Sequence, residues 1–164
     1  MRSLYLGVVF LHVLAALVWV GGMLFFALVA APAVRNLDPP VRAALVRTLG
    51  ERFRLIGWAC IAILVVTGVA NLAFHGVLDG PTLRSAAFWG TPYGRALGWK
   101  LGGVGAMLTL SAVHDFVHGP RASRLPLGSP EALRARGRAI LLARANALLV
   151  LVAIWAAVRL ARGG

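Results

Sequence analysis

"LYLGVVFLHVLAALVWVGGMLFFALVAA", residues 4–31, decides the fold. No charged side chain interrupts it, and Pro32 follows directly. About 20 apolar residues, rising about 1.5 Å each, cross the hydrocarbon core of a bilayer. The apolar core of a signal peptide is shorter, about 7–15 residues, and ends in a small-residue cleavage site. None follows here, so the stretch reads as a retained transmembrane helix.

Three further stretches have the same character. They run from about Phe53 to Leu78, Ala96 to His118 and Ala139 to Leu160. Hydrophobic residues make up 60% of the 164, and mean hydropathy is +0.82. A water-soluble domain of this size does not need so much apolar side chain. The expected fold is all-α: an integral membrane four-helix bundle, antiparallel and up-and-down, with residues 1–164 as a single transmembrane domain.

The formal charge of +12 would suggest nucleic acid in a soluble protein. Here the arginines sit between apolar blocks, so the expected partner is the lipid bilayer and nucleic acid is excluded. Arg35, Arg42, Arg47, Arg52 and Arg54 lie between the first two spans; Arg121, Arg124, Arg134, Arg136 and Arg138 lie between the last two. The other side holds Arg2, Arg84, Arg95, Arg159 and Arg162, with Lys100 just inside. The more basic loops face the cytoplasm. Both termini are therefore expected outside. An Arg-rich, Lys-poor, Ala/Leu/Gly-rich bias suggests a GC-rich bacterial genome, so the membrane expected is the bacterial inner membrane. With one cysteine, Cys60, no intrachain disulfide forms.

The loops carry local signals. "DGPTLRSAAFWGTPYGRALGWK", residues 79–100, places Phe88, Trp89, Tyr93 and Trp99 at headgroup level as a partly helical collar. "SPEALRARGRA", residues 129–139, starts a helix, with Ser129 capping and Pro130 in the first turn. "DPPVRAALVRTLGERF", residues 38–53, reads as a similar short cytoplasmic helix.

Polar groups in lipid are costly and face the bundle interior. Tyr5, His12, Trp19 and Phe26 recur every seven residues and share one face of the first span. On the second, Asn71 lies one turn from His75, and Gly68 beneath lets a neighbour approach. On the third, Lys100, Met107, Ser111, His114 and His118 form one stripe. His12 and His75 are expected within about 8 Å in depth on antiparallel helices. Two imidazoles so placed suit the axial positions of a haem b. In that reading His12 and His75 are the metal ligands, with His114 as the alternative. Trp19, on the face of His12, flanks the cofactor. Arg95 and Lys100 meet the propionates, with Lys100 also a proton donor or ligand. The bland alternative is an imidazole that hydrogen-bonds a neighbouring helix. His114 and Asp115, adjacent in sequence, are expected on different faces and so not to form a dyad.

Copper is the other metal. Met23, Cys60 and Met107 offer soft sulfur, but no two share a helix and a spacing. His12, His75 and Met1 define a weaker outer-side site. There is no C-x-x-C-H, P-loop, G-x-S-x-G or H-E-x-x-H motif. "KLGGVGAM", residues 100–107, reads as helix packing.

His12, the Trp19-x-Gly-Gly that follows and Pro32 before Arg35 resemble the first helix of the CopD-like (copper resistance protein D) integral membrane family. "RFRLIGWACIAILVVTGVANL", residues 52–72, is similar to their next helix, and "TPYGRALGWKLGGVGAML", residues 91–108, to a later one. The resemblance implies a four-helix unit associated with copper resistance or uptake. A more distant likeness to the HemJ-type protoporphyrinogen oxidase points to His12 and Lys100, and implies a porphyrinogen oxidase. The leading expectation is a haem b protein doing redox or electron transfer near the outer face. It would be a haem-dependent oxidoreductase if an enzyme, with a quinone or redox protein as electron partner. Copper handling is the alternative, and a homo-oligomer is compatible with both.

Overall fold

The computed structural model describes residues 2–119, 125 and 129–162. Met1, Arg121 and Arg124 lie outside them. The helices are α1 (Arg2–Ala33), α2 (Pro39–Phe74), α3 (Gly80–Arg84), α4 (Ala86–Gly90), α5 (Pro92–His118) and α6 (Pro130–Ala161). Among the described residues there is no strand. Four helices, α1, α2, α5 and α6, are long and apolar enough to cross a membrane. The chain is an all-α, multi-pass membrane protein.

Two long helices absorb segments expected to be separate. Residues 38–53 are continuous with the second span, giving a helix of 36 residues. Its prolines, Pro39 and Pro40, sit in the first turn, where a missing N–H costs nothing. After them Gly50 is the weakest helix former before the span, at about 1 kcal/mol, too little to break the helix. Likewise residues 129–139 run straight into the fourth span. The Ser129 hydroxyl accepts from Ala132 N at 3.1 Å, as expected of its cap.

The second span is shorter at its other end than the sequence suggested. It stops at Phe74, not Leu78, and His75 is its C-cap. Gly76, at φ +67°, takes the left-handed conformation that only glycine adopts without strain. Val77 N donates to Leu72 O and Gly76 N to Ala73 O, both at 3.0 Å, closing a Schellman motif. Buried Val77 anchors it.

In α1 and α5 one turn widens to i→i+5 hydrogen bonding, at Phe26–Ala30 and His114–His118. Each widened turn lies just before a proline in the sequence, Pro32 or Pro120. For Pro32, the ring crowds the carbonyl four residues back and offers it no donor, which favours the wider turn.

The chain divides into two compact units, with the boundary in sequence between Arg84 and Ser85. The first holds α1–α3, the second α4–α6. Each is an antiparallel hairpin of long helices. In the first, Tyr5 meets Phe74, His12 meets Thr67 and Phe26 meets Phe53, so rising numbers on α1 pair with falling numbers on α2. In the second, Ser111 meets Asn146, while Trp99 and Arg95 share a groove with Trp155 and Arg159. Small residues let the helices approach, among them Ala15 and Gly57 in one hairpin, Gly103, Ala132 and Ala156 in the other. Large apolar side chains such as Leu28, Leu55 and Leu141 point outward, as lipid allows.

Candidate metal-ligating histidines

The seven-residue stripe on α1 is the seam of the first hairpin. Tyr5 packs edge-on to Phe74 and to His75, with centroids 5.4 and 5.9 Å apart. His12 packs over Gly68; a Cβ built there would lie 3.6 Å from its Cε1. Trp19, buried, covers Gly57 at 3.5 Å from the corresponding point. The close approach read at Gly68 is thus observed, and it accommodates the His12 ring. Trp19 serves helix packing.

His12 makes a specific contact the sequence did not reveal. Its Nδ1 lies 2.8 Å from the Thr67 hydroxyl. That hydroxyl lies 2.6 Å from the carbonyl of Ile63, one turn back on α2. A hydroxyl has one proton. With that proton donated to Ile63, Thr67 accepts from His12, so the Nδ1 of the neutral imidazole carries hydrogen and Nε2 carries the lone pair. Thr67 is buried, 4% exposed, so the relay is shielded from water. A bond of this kind fixes the tautomer and orientation of the ring, as it does for histidines that ligate metals.

His75 is not beside His12. It is exposed at the end of α2, against Tyr5, and lines a shallow groove with Arg2, Tyr5 and Phe74. Seven residues of helix separate Tyr5 from His12, about 10 Å of axial rise. The expected separation of about 8 Å assumed that α2 continued through His75. Nor is there a slot between α1 and α2 at His12, because its ring contacts Gly68 and bonds Thr67 directly. His12 and His75 therefore do not bracket a macrocycle in this hairpin. Between them in register stands Asn71, whose Oδ1 is buried with no hydrogen-bond partner among the described residues.

In the second hairpin, Arg95 donates to Gly90 O at 2.5 Å, closing the α4–α5 corner. It shares a groove with Trp99, Trp155 and Arg159, the last stacked on Trp155 at 5.2 Å. Phe88 packs against Trp89 and Tyr93 at 5.2 and 6.3 Å in a stretch that is partly helical as expected, while Trp99, expected with them, lines the groove with Trp155. Lys100 is half-buried on α5. Asn146 Nδ2 donates to Ser111 Oγ at 3.2 Å, joining α6 to α5. His114 and Asp115, expected apart, are bonded: Nδ1 to Oδ1 is 2.9 Å. They lie in the widened turn, where the periodicity of a regular α-helix does not apply. Side-chain rotation closes the remaining gap.

Among the described residues no three His, Cys, Asp or Glu side chains converge on one point. Cys60 is buried on α2 and Met107 on α5.

These features define an all-helical, multi-pass membrane protein with an oriented imidazole in a span. The chain belongs to the copper resistance protein D family, whose family model matches residues 47–160. It is thus a membrane protein of a family related to copper resistance. The match includes Thr67, Lys100 and His114, while His12 precedes it. A protein of Aquifex aeolicus (strain VF5), described as uncharacterized, is 32% identical over 123 residues, 74% of this chain and 73% of that one. No solved structure matches. Neither comparison bears on the HemJ-type likeness.

Proposed function

We propose that this protein handles copper as cargo in a bacterial inner membrane, with His12 as an intramembrane ligand. The observation that carries this is the Ile63–Thr67–His12 relay, which puts the His12 lone pair on Nε2. Family membership supplies the metal. Imidazole accepts copper readily, and one oriented ring suits a site that cargo must enter and also leave. Thr67 is the positioning residue: it holds the ring and its tautomer. In the proposed topology the four long helices cross the membrane alternately up and down with both termini outside, on the arginine asymmetry between the connecting segments.

A haem b on His12 is the second reading, favoured by the same lone pair. His12 would hold it together with a residue other than His75, and a quinone or redox protein would be the electron partner. One preparation separates the two. Protein purified from copper- and haem-replete cells is expected to bind copper and show no Soret band. His12→Ala is expected to weaken copper binding tenfold or more. A Soret band that His12→Ala abolishes would transfer the site to haem. Copper binding unchanged in His12→Ala would end the proposal.

A further inference from the structure

The segment "HDFVH", residues 114–118, ends α5 and takes no part in the site at His12. His114 and His118 stand four apart in a turn that closes only at i→i+5, just under one full turn, so both project from one side of the helix. Two histidines at this spacing form the chelating pair of helical zinc sites. They lie in the widened turn, closed by Gly119 N donating to His114 O. Such turns collect at functional sites.

Asp115 adds the second element. Its Oδ1 lies 2.9 Å from His114 Nδ1, so the carboxylate accepts a hydrogen bond from the Nδ1–H, and in the neutral imidazole the lone pair falls on Nε2. Carboxylate–imidazole pairing orients a ligand ring and raises its basicity. The His114 and Asp115 side chains are 39% and 22% exposed, open enough for an ion and its waters to reach. Asp115 is the one acidic residue of α5.

We infer that His114 and His118 form a two-imidazole site for a borderline divalent cation, with Asp115 positioning His114. Imidazole donors select copper(II) or zinc(II) over hard cations, and water completes the shell. On the proposed topology, on which this step rests, the site is a second copper station at the cytoplasmic end of α5. His12 lies toward the outer side.

The test uses the full chain in detergent with copper(II) alone as probe. Electron paramagnetic resonance is expected to report two imidazole nitrogens for this site. His114→Ala or His118→Ala should each leave one nitrogen and lower affinity at least tenfold. Asp115→Ala should keep both nitrogens but bind 10–100-fold more weakly. His12→Ala should leave these signals unchanged. A spectrum and affinity the same in wild type, His114→Ala and His118→Ala would overturn the inference. If only His12→Ala then reduced copper binding, the function proposed above would stand without it. Loss of neither would end both. A readout without variants covers misfolding: zinc(II) should shield His114 and His118 of the wild-type chain from diethyl pyrocarbonate, read by peptide mass spectrometry. Equal modification with and without zinc would also refute the site.

Discussion

The hydroxyl of Thr67 has one proton and two lone pairs, and the first hairpin uses both roles. Its bond to Ile63 O is the ordinary way a helical threonine satisfies itself in lipid. That habit hides the residue in the sequence: a threonine in a span needs no partner on another helix. The periodic face of His12 could be read from spacing, because seven residues nearly complete two turns. Its partner depends on the register of α2, which spacing on α1 does not contain. Thr67→Val keeps the shape and removes the acceptor. Interhelical polar contacts in membranes contribute about 0.6 kcal/mol on average and at most about 1.7. A loss of that size is expected in unfolding titrations with sodium dodecyl sulfate, with a 10–100-fold loss of copper affinity. A double-mutant cycle with His12→Ala should show coupling of the same size; additive losses would mean that the bond contributes nothing.

Element boundaries tell the same story through glycine and proline. The continuity of α2 follows from prolines placed where a helix tolerates them, while its end at Phe74 follows from Gly76. Both signals are local and legible, yet hydropathy alone extends the span to Leu78 and merges His75 into it. The α4–α5 corner was less legible, because it depends on backbone approach. Thr91 accepts from Gly94 N at 3.0 Å and donates to Phe88 O at 2.7 Å, folding α4 against α5. A Cβ on Gly94 would overlap the Phe88 carbonyl and lie 2.9 Å from the Trp89 Cα, both backbone. At Gly98 the nearest atoms are ring carbons of Trp89 at 3.8 Å, an ordinary contact. Gly94→Ala is therefore expected to destabilise by about 1–3 kcal/mol. Gly98→Ala should stabilise by up to about 1 kcal/mol, the helix propensity gained. Equal effects in thermal unfolding would show that the corner does not need the missing side chain.

For the whole molecule, charge and hydropathy made the membrane and the number of spans legible. They could not show that the long helices pair as two hairpins, because pairing depends on which small residues face each other. Orientation is where charge makes its firmest prediction. Arginines in short loops near the spans are retained in the cytoplasm, and carboxylates count little. Alkaline phosphatase, active only outside, should be active when fused after Arg162. Green fluorescent protein fused there should stay dark, but fluoresce when inserted at Leu125. The cause is testable apart from the outcome. Replacing Arg35, Arg42, Arg47, Arg134 and Arg138 with glutamine removes positive charge from both proposed cytoplasmic loops without adding carboxylates. The fraction with an outside C-terminus should then fall, because Arg2, Arg84 and Arg159 now compete on closer terms. An unchanged fusion pattern would mean that something other than arginine sets the orientation, and the assignment of His12 to the outer side would lose its basis.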